Sequence, residues 1–345
     1  MKGLVKYQNG DGFMELRDIP EPKAAAGQVK IEVAKTGICG SDLHIFHNDI
    51  DIPIRPPVIT GHEFSGTIVE VGEGVEGWKV GDRVVSETAF AYCGVCLHCR
   101  EGYYNLCNQR RTLGYWFDGA FAPYTVVPAA RLNALPTELS FLEGALMEPL
   151  ACVTHAVMEL THIQPRDWVL VSGPGAVGLA TMQVAKAHNA RVMVAGTDVD
   201  VERMKKATTL GADLVVNVQK ENLLDIIKDV TGGVGVDVAL ECSGSARALE
   251  SAILGVRKRG QLTQIGLYGK PITVDFEKIC FKEIKVTGSL GSRWMSWENA
   301  LLLTKTKKVK LEPLVSDIMP LSDWKKAFEM FERKEGLKLV LDPKK

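Results

Sequence analysis

The chain has 345 residues and a formal net charge of −1, with 41 basic and 42 acidic side chains. That length supports two domains, each with its own core. The charge balance excludes a nucleic-acid or membrane-surface binder, which needs a basic stripe, and no run of about 18 apolar residues offers a membrane helix. The N-terminus, MKGLVKYQNGDG, lacks the apolar segment of a secretory leader, so a cytoplasmic location is expected.

Up to about residue 150, short β-branched runs are broken by Gly and Pro: VKIEVAKTG, SGTIVEVGEGV, GDRVVSE and PYTVVPA. This texture predicts a mostly antiparallel, barrel-like β region. Within it stand Cys39-Gly40-Ser41-Asp42-Leu43-His44 and Gly61-His62-Glu63-Phe64. Thiolate, imidazole and carboxylate are the ligand types of a catalytic zinc that keeps one position open. Taken singly, the three also read as a buried thiol, a core histidine and a surface charge, and spacing alone leaves those alternatives standing. Asp42 reads as a residue that orients backbone in a turn.

Next comes YCGVCLHCREGYYNLC, holding Cys93, Cys96, Cys99 and Cys107. Four thiolates this close can converge on one tetrahedral zinc, with Gly94 and Gly102 turning the backbone. Disulfides fit poorly, because cysteines separated by two residues bridge badly. The ferredoxin cluster spacings also differ. A complete four-thiolate set leaves no open position, so this metal reads as structural.

From about residue 151 the rhythm becomes strand, glycine turn, helix, which predicts a parallel, doubly wound sheet. Gly173-Pro174-Gly175-Ala176-Val177-Gly178 follows the apolar run Trp168-Val169-Leu170-Val171 and opens a helix. That is the setting of the dinucleotide fingerprint, with the pyrophosphate on the helix N-terminus. An acidic reader of the ribose is expected roughly 20 residues on. Asp198, two residues past a strand ending at Gly196, favours NAD, whereas Thr197 and Arg203 would welcome the 2′-phosphate of NADP. After about residue 290 helices return, and the closing run GLKLVLDP is expected to fold back onto the first domain. The domains expected are 1–150 plus 290–345, and 151–289. His47 shares a helical face with His44, His98 is redundant in the cysteine lobe, and His155 suits packing or capping. Cys152, Cys242 and Cys280 read as small core residues.

Together these motifs resemble the zinc-dependent medium-chain alcohol dehydrogenase family, and within it the sorbitol and related polyol dehydrogenases. The likeness runs essentially end to end, through Cys39–His44, Gly61–Gly66 with Gly72, the four-cysteine lobe, Glu148-Pro149-Leu150 and Gly173–Gly178. It implies an α/β fold, a doubly wound parallel Rossmann sheet domain inserted into a mostly β, barrel-like (GroES-like) catalytic domain. It implies two zinc ions per chain. Cys39 and His62 would bind the catalytic one, Glu63 being a ligand or close neighbour. Glu148 would hold the zinc's water or enter its shell, and Ser41 and His44 would pass a proton to solvent. Zinc as a Lewis acid eases loss of the hydroxyl proton, and the hydride passes to NAD or NADP.

The implied substrate is a secondary alcohol in a polyol or sugar-derived molecule, with Ile45, Phe46, Trp116, Phe117 and Arg293, beside Trp294, as pocket candidates. Polyol dehydrogenases often carry a tyrosine where Ile45 stands, which argues against sorbitol itself. Threonine-type or NADP-preferring dehydrogenases remain alternatives, as does a nucleotide-binding relative without turnover. The family habit implies a homo-oligomer, dimer or tetramer.

Overall fold

The computed structural model of the protein describes residues 1–49 and 52–345. Two compact units emerge. One comprises Met1–Pro149, Ser292–Lys305 and Leu311–Lys345; the other comprises Leu150–Gly291 and Thr306–Lys310.

The first unit is built on an extended strand, Gln28–Gly37, in which Val29, Ile31 and Val33 are buried at the period-two spacing that turns one face inward. It pairs antiparallel with Glu63–Val71 on one side and with Tyr124–Pro128. Phe64, Ile68, Val84 and Val127 complete that core. The last strand, Lys338–Asp342, joins the same sheet with Leu341 opposite Thr36 and Val340 opposite Gly37. The C-terminal run therefore returns to the first unit, and the parallel-sheet unit is an insertion. A smaller sheet of Met14–Asp18, Lys2–Lys6 and Val58–Ile59 packs with the helix Trp324–Glu332 through Leu4, Val5, Trp324 and Phe328.

The second unit is a six-stranded, all-parallel sheet. Its strand order is Leu214–Asn217, Arg191–Gly196, Trp168–Ser172, Val236–Glu241, Val256–Gln264, Lys285–Gly288. Numbered along the chain this is 3-2-1-4-5-6, the doubly wound order, which reverses between the first and fourth strands. Such strands are covered on both faces, so they read as continuous apolar runs: Val169, Leu170, Val171, Val192, Met193 and Val194 are fully buried. Among the described residues no helix is long and apolar enough to cross a membrane.

Candidate metal centres and dinucleotide turn

The cysteine lobe wraps tightly around one point. A short helix, Leu97–Arg100, and a 3-10 turn, Tyr104–Leu106, bring the sulfurs of Cys93, Cys96, Cys99 and Cys107 within 4.8 Å of one another. Cys93 lies 3.8 Å from Cys99 and 3.6 Å from Cys107, sulfur to sulfur, and all four cysteines are free. Tetrahedral zinc with bonds of about 2.3 Å sets its sulfurs about 3.8 Å apart, so the cluster fits zinc and excludes disulfides. Backbone N–H groups reach the sulfurs, from Cys96 to Cys93 at 3.3 Å and from Gln109 to Cys107 at 3.4 Å. The N–H groups of Val95 and Cys96 pull the Cys93 thiol down to about 6, in the direction a thiolate ligand needs. His98 stands outside the cluster.

The second group draws on distant parts of the chain. Cys39 precedes the helix Gly40–His47, and its N–H donates to Asp42 Oδ2 at 2.9 Å. Strand register places Glu63 opposite Gly37, which brings His62 and Glu63 to Cys39. One donor atom from each lies within 4.8 Å of the other two. Both His62 and Glu63 are buried. Behind the imidazole, Asp42 Oδ1 stands 3.6 Å from Nδ1, leaving Nε2 for a metal; Ser41 Oγ is 3.5 Å from Nε2. The Tyr115 ring tilts against His62 with centroids 5.4 Å apart.

The register that sets Val340 against Gly37, carried on two residues, brings Lys338 alongside Cys39. Its ammonium pairs with Glu63 and donates to the Ile38 carbonyl at 2.8 Å. Burial is the largest influence and pulls the Lys338 pKa down, yet the negative groups around it, Glu63 first and then Cys39 and Asp42, together hold it above the ordinary lysine value. Three donors of three kinds, one short of four, suit a metal that keeps a position open. Glu148 is buried in the first turn of the helix Met147–Thr154 and lies outside the three-donor group. His44 is on the surface, its Nδ1 2.9 Å from Asp49.

In the second unit, Trp168–Ser172 leads into Gly173, and Gly175 caps the helix Ala176–Ala187, which begins with Ala176 and Val177. Gly173 has φ +92°, and a Cβ on Gly178 would sit 1.8 Å from the Gly173 carbonyl oxygen. Both glycines are therefore required by geometry, the first for its backbone conformation and the second for close approach. Asp198 follows Arg191–Gly196 on the surface, where Asn217 donates to it at 2.7 Å and Lys220 lies 3.3 Å away. The Asn217 hydrogen bond and Lys220 hold its carboxyl below the usual range. Thr197 donates through N and Oγ1 to Asp200, at 3.1 and 2.8 Å, and Arg203 pairs with Asp200 at 3.2 Å.

Comparison with known proteins agrees with this geometry. Residues 25–137 match the alcohol dehydrogenase GroES-like domain, and residues 176–306 match the zinc-binding dehydrogenase domain. A sorbitol dehydrogenase of Halalkalibacterium halodurans is 44% identical over 99% of both chains. The chain belongs to the zinc-dependent medium-chain alcohol dehydrogenase family. A D-arabitol-phosphate dehydrogenase of Enterococcus avium is 37% identical, over 99% of this chain and 97% of its own. The crystal structure of 2R,3R-butanediol dehydrogenase from Bacillus subtilis superposes with a TM-score of 0.89 at 35% identity, covering 99% of each chain.

Two expectations need correction, Ile45 as a pocket residue and Cys280 as a core residue. Ile45 is fully buried in the core with Leu4, Phe121 and Trp324, so it offers no surface to a substrate. Phe46 packs edge-on against Trp324 and Phe328, each at 6.1 Å, and Phe117 stacks on Phe90 at 3.9 Å. Trp116 lies under the guanidinium groups of Arg111, 4.5 Å away, and Arg55, 5.6 Å away. Arg293 covers the Tyr103 ring at 4.5 Å, in the cysteine lobe. Cys280 is exposed on the helix Glu277–Lys282, not a core residue. His155 is buried with its Nδ1 2.9 Å from Glu159. Reading the sequence missed Lys338 and Tyr115. A lysine heading the apolar run KLVLD was the available signal for the first; Tyr115 carried none.

Proposed function

We propose that the chain oxidises a secondary hydroxyl of a polyol or sugar-derived substrate with NAD, the first unit holding the metal and the second the dinucleotide. The observation that carries this reading is the three-donor set of half-buried Cys39 with buried His62 and Glu63. Zinc, when bound there, supplies a Lewis acid that eases loss of the substrate's hydroxyl proton. Ser41 Oγ takes up that proton, and His44, at the surface, releases it to water. Asp42 orients both Cys39 and His62, as partners behind metal ligands do. Lys338 compensates the buried Glu63 charge. Glu148, as the family likeness implies, would hold the zinc's water or enter its shell. The hydride goes to a nicotinamide, whose own chemistry accepts it.

Asp198, exposed at the end of its strand, supports NAD, because Thr197 and Arg203 are both engaged with Asp200. The substrates named for the three relatives each carry a secondary hydroxyl beside another hydroxyl, which favours a polyol. An assembly of two or four copies in the cytoplasm completes the reading.

The test is formation of reduced cofactor, followed by absorbance, over free polyols, polyol phosphates, aldonic acids and threonine with NAD and NADP in parallel. Turnover of a polyol with NAD, lost on chelation and restored by zinc, is the expected result. Preference for threonine or for NADP would move the reading to its alternatives. A zinc-loaded protein that oxidises none of them would leave a nucleotide-binding relative.

A further inference from the structure

One buried carboxylate has no part in the chemistry above. Glu241 ends the strand Val236–Glu241 and is wholly inaccessible. In the parallel register it lies opposite Ser172, the residue before Gly173, and opposite Gln264 at the end of the next strand. It therefore sits where the strand order reverses, at the carboxyl edge over which dinucleotides bind.

Its side chain gathers donors from two turns. Oε1 accepts the Ser243 N–H at 2.8 Å and the Ser243 hydroxyl; Oε2 accepts the Gly244 N–H at 3.1 Å and Gln264 Nε2 at 2.6 Å. Its carbonyl accepts Ile265 and Gly266, at 2.8 and 2.9 Å. These contacts come from backbone, hydroxyl and amide dipoles rather than a cation, and hydrogen bonds to a buried charge are the strong kind. The turn they fix touches the fingerprint itself: a Cβ on Gly173 would stand 2.6 Å from the Ser243 Cβ and 2.9 Å from its Cα.

We propose that Glu241 is a positioning residue for the nicotinamide half of the dinucleotide. It clamps the Ser243–Gly244 turn to Gly173 on one side and to the Gln264–Gly266 turn on the other. The inference rests on reading Gly173–Gly178 as a dinucleotide site.

The test titrates full-length, zinc-loaded protein with NADH and with ADP-ribose, which lacks the nicotinamide, and follows binding by fluorescence or calorimetry. Glu241→Gln keeps the shape but turns an amide N–H₂ toward donors. We expect its NADH dissociation constant to rise about tenfold or more, the scale of a lost charged hydrogen bond, with ADP-ribose affinity within about twofold. Ser243→Ala removes one donor, leaves the carboxylate in place and serves if Glu241→Gln does not fold. Its expected NADH weakening is about threefold, the lower range for one hydrogen bond. Unchanged NADH binding in the folded variant overturns the proposal. Equal weakening of NADH and ADP-ribose also overturns it, because the carboxylate is then general scaffold. Wild-type protein that binds neither NADH nor NADPH would remove the dinucleotide reading itself, an outcome distinct from both.

Discussion

The two clusters of metal donors in the first unit are built on opposite plans. The cysteine lobe takes its four sulfurs from one stretch of fifteen residues, Cys93 to Cys107, and its chemistry is complete within that stretch. The Cys39 group takes donors from residues 39, 62 and 63, and its supports from Ser41, Asp42, Tyr115 and Lys338. A local lobe can be written in sequence as a spacing. A non-local site exists only once strand register has set Glu63 against Gly37 and returned Lys338 to Cys39. The lesson is that a closed metal set needs little around it, whereas an open one needs buried charges held by partners from across the fold.

That contrast predicts unequal consequences. Cys39→Ser should lower kcat/KM at least about a thousandfold, the several kcal/mol a Lewis acid supplies, while metal analysis finds one zinc retained in the lobe. Near-normal turnover would break the assignment of the two clusters. Lys338→Met leaves Glu63 buried without its cation and should cost about 3 kcal/mol or more in urea unfolding of the metal-free protein. A loss under about 1 kcal/mol would mean that Glu63 does not depend on its partner. Asp42→Asn should reduce zinc affinity or activity about 10- to 100-fold, the usual cost behind a ligand, with the lobe's zinc untouched.

Cys96→Ser should release the lobe's zinc and lower the thermal midpoint, yet leave NADH affinity within about twofold, because a structural metal contributes to folding rather than to the dinucleotide turn. The smallest effect concerns His47, bonded to Glu332 and, at 2.9 Å, to Asp11. The Glu332 hydrogen bond chiefly raises its pKa above the ordinary value. A raised histidine contributes stability in full below about pH 6.5, its ordinary value, and loses it as pH climbs through the folded-state value. His47→Gln should therefore lower the melting temperature at pH 6 and match the wild type at pH 9, a difference of at most about 1 kcal/mol for so exposed a pair.

Much of this architecture was legible beforehand. Alternating runs such as VKIEVAKTG announced antiparallel strands because side chains alternate across a sheet. Continuous runs such as WVLVSG announced the parallel sheet because both of its faces are covered. Ile45 shows the limit. Its place beside the His44 motif suggested a pocket, but one residue along a helix turns a side chain by about 100°, and that turn put Ile45 in the core with Leu4 and Trp324. Arg293 shows another limit, since only the fold places it over the Tyr103 ring.

By itself, the sequence determined the things that need only neighbours: the thiolate spacing, the glycine turn after an apolar strand, and the change of rhythm near residue 150. Tertiary structure alone decided that Lys338 pairs with Glu63, that Tyr115 faces His62, and that Glu241 clamps two turns against Gly173. The physical reason is burial. A charge removed from water must find partners wherever the fold brings them, and those partners come from up to about 300 residues away along the chain.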